Sequence, residues 1–196
     1  MKDHPILFSA PMVRAILEGR KTQTRRIIKG VNRGNCMILK KSTKTKMGIE
    51  THVLDATKNN LCPYGKPGDL LWVRETWMQE TEEGIPTGGI IYKASSNPVQ
   101  DGDIKLRWKP SIYMPKATTR IWLEITGVRV ERLQDITEGD AEAEGVEPWS
   151  SNGLDFTSYL NSFEYLWNSL NEKRGFGWVE NPWVWVIEFR RVDDAL

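Results

Sequence analysis

The feature of this sequence that most constrains its fold is a series of short, strand-like segments joined by connections unlike regular βαβ crossovers. Apolar, β-branched or alternating residues mark these segments, at 5–8, 22–28, 70–77, 90–92, 119–130 and 183–189. Helical spacing is confined to a segment between Ser9 and Gly19 and to segments 137–144 and 156–170. This pattern predicts an α+β fold, mainly β, with a mixed, mostly antiparallel barrel and helices packed outside it.

The length of 196 residues predicts a single domain with two long loop insertions, at about 30–66 and 79–118. No apolar run approaches the roughly 20 residues that a membrane span needs, and no leader-like segment follows Met1. We therefore expect a cytoplasmic protein with no membrane partner. Cys36 and Cys62 are expected to be free thiols, and because they lack zinc-ligand spacing we expect no metal and no cofactor.

Charge is distributed unevenly along a chain whose net charge is only +1. Residues 14–46 contain eleven lysines and arginines against the single acid Glu18, whereas residues 131–155 contain eight acids against Arg132. Such a division favours a basic face that contacts nucleic acid or nucleotide, with the acids beside the site or inside it. The alternative is two solvated surfaces that partly neutralise each other.

The run Gly19-Arg20-Lys21-Thr22-Gln23-Thr24-Arg25-Arg26 concentrates four cations and two hydroxyls directly behind the first predicted helix. A glycine there allows the positive φ at which helices often end. In the strand that follows, Thr22, Thr24 and Arg26 alternate onto one face. The run could bind an anion or perform chemistry. It could also be a solvated loop in which Thr24 bonds to the backbone and Lys21 meets Glu18.

Three stretches carry a family resemblance: residues 17–26, then 68–73, then 186–189. Their sequences, LEGRKTQTRR, GDLLWV and VIEF, together resemble the ASCH domain, a compact β-barrel related to the PUA domains of RNA-modifying proteins. A wider pattern, which includes 72–77 and 181–185, resembles larger ASCH-like proteins of phages and prophages. The resemblance implies a PUA-like barrel whose partner is a modified nucleoside or single-stranded RNA, and it leaves the oligomeric state open.

The segment Gly-x-Lys-Thr-x-Thr-x-Arg is also similar to that of small bacterial amidohydrolases that remove acetyl from N4-acetylcytidine. The resemblance implies that Lys21 and Thr24 are catalytic and that a glutamate from a short helix completes the site. Glu144 is the best match for that glutamate, and Glu142 or Glu138 would serve if the helix were shifted.

Five further residues are expected to bind substrate or nucleic acid: Arg20, Arg25, Arg26, Glu75 and Trp77. The arginines would lower the pKa of Lys21 and hold negative charge, and Trp77 could stack on a base. For Glu75 the alternative is a structural ion pair with Arg74 or Arg26. Two other functions stay open for the chain as a whole: a non-catalytic RNA- or nucleotide-binding module, and an ASCH-type ribonuclease.

Overall fold

A computed structural model describes residues 1–32, 34–40, 49–82, 85–95, 107–151 and 154–192. Strands within these ranges are β1 (Asp3–Leu7), β2 (Gln23–Ile27), β3 (Cys36–Lys40), β4 (Ile49–His52), β5 (Leu70–Arg74), β6 (Trp77–Glu82), β7 (Ile85–Tyr92), β8 (Trp122–Arg132), β9 (Trp149–Ser151), β10 (Leu154–Phe156) and β11 (Trp183–Val192). The α-helices are α1 (Ala10–Leu17), α2 (Glu138–Ala143) and α3 (Tyr159–Asn171). The predicted α+β class, mainly β, is confirmed.

The central sheet has five strands in the order β1-β5-β8-β11-β2. β1 runs parallel to β5, and every other neighbouring pair is antiparallel, so the sheet is mixed and mostly antiparallel as predicted. Among the described residues no backbone ladder joins the edge strands β1 and β2. A side chain connects them instead, because Nη2 of Arg26 on β2 donates to the Leu7 carbonyl of β1 at 2.7 Å.

Alternation along β11 divides the interior into two apolar cores, one on each face of the sheet. Trp185 and Ile187 belong to the larger core, which also contains α1 residues such as Val13. Val184 and Val186 belong to the smaller core, which they share with α3. A strand buried on both faces accounts for the nearly continuous apolar run at 183–189.

Helix α1 ends as the sequence predicted. Its last residue is Leu17, and Gly19 adopts a φ of +77°, the left-handed conformation that glycine tolerates best. The helix predicted within 156–170 is present as α3, and its buried aromatic residues are Phe163 and Trp167, whereas Leu170 is 60% exposed. Phe163 and Trp167 stand four positions apart on one helical face, directed at the smaller core.

Both predicted insertions contain regular structure, so their interpretation as loops is wrong where the chain is described. β3 pairs with β4 inside 30–66, and β7, which contains the strand predicted at 90–92, pairs with β6, which begins just before 79 at Trp77; both pairs are antiparallel. The rest of each segment partly lies outside the described residues. The strand predicted over 70–77 is divided as well: β5 ends at Arg74, and Trp77 opens β6. None of the helices in the described ranges is long and apolar enough to cross a membrane.

Candidate active site

A cavity of about 670 Å³ lies where the two edge strands of the sheet approach each other. Leu7 and Phe8 line it from the β1 side, Thr24 and Arg26 line it from β2, and Leu166 lines it from α3. This volume falls within the range of pockets that enclose small ligands, about 300–1,000 Å³. Among the described strands none pairs with the free edges of β1 and β2, and the cavity lies between these two edges.

Lys21 and Glu144, two of the three residues predicted to be catalytic, form a buried ion pair in the wall of this cavity. Nζ of Lys21 donates to Oε2 of Glu144 at 2.8 Å and to the carbonyl oxygen of the same residue at 2.7 Å. Lys21 is only 3% exposed, and its Nζ lies 5.6 Å from the centroid of the Phe8 ring. Burial lowers the pKa of Lys21 below 10.5, although the negative charge of Glu144 opposes this effect.

Helix α2 and the residues that follow it place Glu144 beside Lys21. The Thr137 hydroxyl accepts from the backbone of Asp140, and the Asp140 carboxylate accepts in return from the backbone of Thr137, forming a capping box. Glu144 caps the other end of the helix, and Gly145 then turns with a φ of +78°. The helix predicted at 137–144 is therefore correct in place, and its cap is Thr137.

Arg25 contacts the same glutamate from the face of β2 that lies against Phe163 of the smaller core. Its guanidinium lies 3.3 Å from Glu144, 3.2 Å from Glu131 and 3.4 Å from Asp140, and its side chain is fully buried. β2 is an edge strand, so an acid placed beside its free edge can meet cations from both faces. Arg25 thus supplies Glu144 with a second positive partner besides Lys21.

Asp140, one of the acids around Arg25, is held in the charged form. Burial by itself would raise the pKa of Asp140, but hydrogen bonds from Gln23 and Thr137 and the charge of Arg25 together lower it to about 2. Arg129 joins the same group through ion pairs with Asp140 and Glu131. The result is a network of alternating charges between β2, β8 and α2.

Thr24 and Arg26 share a face of β2, as the alternation predicted. Their partners on β11 are Ile187 and Trp185, whose side chains belong to the larger core. Thr24 is buried and lines the cavity, and its hydroxyl hydrogen-bonds no residue in the described parts of the chain. The guanidinium of Arg26 lies 5.2 Å from the centroid of the Phe8 ring, and burial lowers its pKa.

The loop alternative considered for Lys21 is wrong. Glu18 pairs with Arg20, while Lys21 is turned inward to Glu144. More broadly, cations of the basic segment pair with acids of 131–147, since Arg25 pairs with Glu131 in the interior and Arg20 pairs with Glu147 on the surface. The two oppositely charged segments are therefore partners of each other at the site, and not only solvated surfaces.

Three of the residues predicted to bind substrate lie away from the cavity. Arg20 is exposed and pairs with acids on the surface. Glu75 is 1% exposed and forms a two-pronged ion pair with Arg120, at 2.8 and 2.9 Å, so the suggested partners Arg74 and Arg26 are wrong. Trp77 is 7% exposed, with Nζ of Lys109 lying 4.7 Å from its ring centroid.

Several residues that shape the site were missed by the sequence reasoning. Phe8 presents its ring to both Lys21 and Arg26, and only its position before the Ser9 cap could have drawn attention to it. Glu131 falls just past the predicted end of β8, which continues to Arg132. Within the described ranges, no group of three or more histidine, cysteine, aspartate or glutamate side chains is arranged to hold a metal ion.

Comparisons with known proteins include one distant likeness to a solved structure. No family model matches this chain, and no curated protein matches it. The chain is similar to an ASCH domain from Lactobacillus crispatus JV V101, with 14% sequence identity and a TM-score of 0.41. The match covers 97% of this chain and 79% of that chain. A likeness this distant carries no argument, so the functional conclusion rests on the side chains described above.

Proposed function

We propose that this protein is an amidohydrolase that removes the acyl group from N4-acetylcytidine or a related N4-acylated cytidine. The observation that carries the proposal is the buried pair of Lys21 and Glu144, which lines one cavity together with the Thr24 hydroxyl. The substrate class comes from the resemblance of the Gly-x-Lys-Thr-x-Thr-x-Arg segment to amidohydrolases of that specificity. The cavity volume is compatible with a nucleoside.

The hydrogen bonds of Lys21 suit the role of a general base. A neutral amine has two hydrogens and one lone pair, and Glu144 offers two acceptors, its carbonyl and its carboxylate. If both hydrogens are used there, the lone pair of Nζ is left to accept a proton. Burial favours this neutral form, and Arg25 balances the charge of Glu144 when Lys21 is neutral.

The proposed reaction proceeds in two acyl-transfer steps. Oγ1 of Thr24 bonds to the acyl carbon while its proton passes to Lys21, and the carbonyl electrons move to an oxyanion that Arg26 stabilises. The bond from carbon to N4 then breaks as the proton passes to the leaving cytosine amine, directly or through Glu144. Water attacks the threonyl ester with the same base, which releases acetate and restores the hydroxyl.

The test is turnover of N4-acetylcytidine by purified protein, measured as released acetate. We expect Lys21→Met and Thr24→Val each to lower kcat/KM by at least about 10²-fold, the smaller end of the effect of losing a general base. Two matched controls are Lys66→Met and Thr22→Val, because both residues are exposed and line neither cavity described for this chain. Both controls should retain wild-type turnover.

The pH dependence gives a second readout for Lys21. Its base form increases as pH rises, and its pKa is lowered, so the rising limb of log kcat/KM should lie below pH 10.5. Absence of turnover on any N4-acylated cytidine would refute the proposal. Tight, salt-sensitive binding of single-stranded RNA in that case would favour a binding module, and RNA cleavage that disappears in Lys21→Met would favour a ribonuclease.

A further inference from the structure

A second cavity, of about 420 Å³, lies next to the first. Its lining comes from α1 and the residues just after it, from α3 and from the segment 145–149. Met12 and Leu166 line both cavities, so the wall between the two spaces is formed by side chains that face each of them. A ligand in the first cavity could therefore continue into the second by passing over these two side chains.

Aromatic rings and one buried hydroxyl characterise the second cavity. Trp149 and Tyr165 line it and contact each other edge to face, with ring centroids 5.3 Å apart, and Tyr165 is 48% exposed. Ser162 lines the buried end, and its hydroxyl hydrogen-bonds no described residue. Helical serines commonly bond back to a preceding carbonyl, so a buried serine without that bond has unused capacity for a polar partner.

The charges around this cavity nearly cancel. Arg20 forms ion pairs with Glu18 and Glu147, which use much of its capacity to hold an anion. Arg14, which is exposed at the rim, has no acidic partner among the described residues. An interior with balanced charge, aromatic walls and a buried serine hydroxyl suits an uncharged planar ring with polar edges, and Arg14 at the rim suits one phosphate.

We propose that the second cavity binds the nucleobase next to the acylated one, which makes the substrate a short single-stranded oligonucleotide and not a free nucleoside. The identity of the substrate rests on the proposed function, whereas the base-binding site does not. The neighbouring base stacks on Trp149 or Tyr165, its polar edge meets Ser162, and the connecting phosphate lies near Arg14. Stacking on an aromatic side chain is available to every base, so the site tolerates different neighbours.

The test compares the affinity of the protein for cytidine with its affinity for the unmodified ribotrinucleotide rCCC, both measured by calorimetry. This measurement requires no turnover. We expect wild type to bind rCCC at least about tenfold more tightly than it binds cytidine. The affinity of Trp149→Ala for rCCC should be about 5- to 150-fold lower than that of wild type, which is the range for one stacked base. Tyr165→Ala provides a second variant in case Trp149→Ala does not fold. Tyr113→Ala is the control, because Tyr113 is an exposed tyrosine that lines neither cavity.

Ser162→Ala separates a ligand-binding role from a structural one. Removing an unpaired buried hydroxyl should leave the melting temperature equal or higher, while affinity for rCCC should fall about 2- to 12-fold. Equal affinities of wild type for rCCC and cytidine would overturn the proposal. Wild-type affinity for rCCC in both Trp149→Ala and Tyr165→Ala would overturn it as well.

Turnover then distinguishes the two proposals. rCCC with a central N4-acetylcytidine should give a kcat/KM at least about tenfold above that of the free acetylated nucleoside, because stacking of the neighbour adds binding energy. If rCCC binds as expected but neither acetylated compound is hydrolysed, the base-binding site stands and the proposed amidohydrolase function fails. If both are hydrolysed equally well, the function stands and the oligonucleotide proposal fails.

Discussion

Replacing Gly145 with alanine should destabilise the protein and disrupt the pair of Lys21 and Glu144. At a φ of +78° a side chain costs about 1–2 kcal/mol through backbone strain alone. A Cβ on Gly145 would also lie 2.8 Å from Cβ of Ala15 and 2.8 Å from Cβ of Lys21, which is too close for either to stay in place. Overpacking of this kind costs about 1–3 kcal/mol, so the expected loss in unfolding free energy is about 2–5 kcal/mol.

Two other glycines allow the strain and the clash to be separated. Gly175 has a φ of +75° and Gly19 a φ of +77°, and a Cβ on either would meet no atom within 4 Å. The alanine variants of these two glycines should suffer only the cost of backbone strain. Their free energy of unfolding, measured with urea, should fall by about 1–2 kcal/mol. Gly145→Ala should also lower kcat/KM more than Gly19→Ala, which leaves Lys21 in place. Equal unfolding free energies for Gly145→Ala and Gly175→Ala would refute the packing argument.

Two further predictions concern titrating groups. Asp140 has a pKa of about 2 against an ordinary 3.8, so its charged form stabilises the native state by about 2 kcal/mol above about pH 4, and this stabilisation is lost as pH falls towards 2. Asp140→Asn should therefore be less stable than wild type at pH 7 and should lose less stability on acidification; parallel pH profiles in urea unfolding would contradict this. Burial raises the pKa of the Cys62 thiol to about 11, so at pH 8 a disulfide reagent should modify Cys36, which is only partly buried, well before Cys62. Cys62→Ser should remove the slow phase, and a slow phase that disappears in Cys36→Ser would show that the assignment is reversed.

The elements best predicted from the sequence are those whose signals are local. Gly19 at the end of α1, Thr137 as the cap of α2 and the apolar run of β11 each follow from a few neighbouring residues. The hairpin β3–β4 was missed, and of β6 and β7 only Trp77 and 90–92 fell in predicted strands, because these strands are defined by pairing with each other. Such pairing depends on tertiary context, which a single sequence does not display.

In the candidate site, too, the residues with local signals could be predicted from the sequence and those with distant partners could not. Lys21, Thr24 and Arg26 could be named because they fall within one short run, and the register of β2 on β11 confirms that Thr24 and Arg26 share a face. The partners of Arg25 could not be named, since Glu131 and Asp140 are more than 100 positions away in the chain. Sequence position alone made Arg25 look like a surface cation available to substrate.

The position of β2 at the edge of the sheet explains why these distant residues meet. A central strand would have neighbours on both sides, but β2 leaves one edge free, and α2 covers it where the amide of Thr22 donates to the Ala143 carbonyl at 2.9 Å. Glu144, at the end of α2, is thereby brought against both Lys21 and Arg25. A change in the position of α2 must therefore alter both ion pairs of Glu144 together. The negative charge that Lys21 meets therefore depends on the docking of α2 on this edge, which is why Gly145, which lies beside Lys21, is the most informative residue to change.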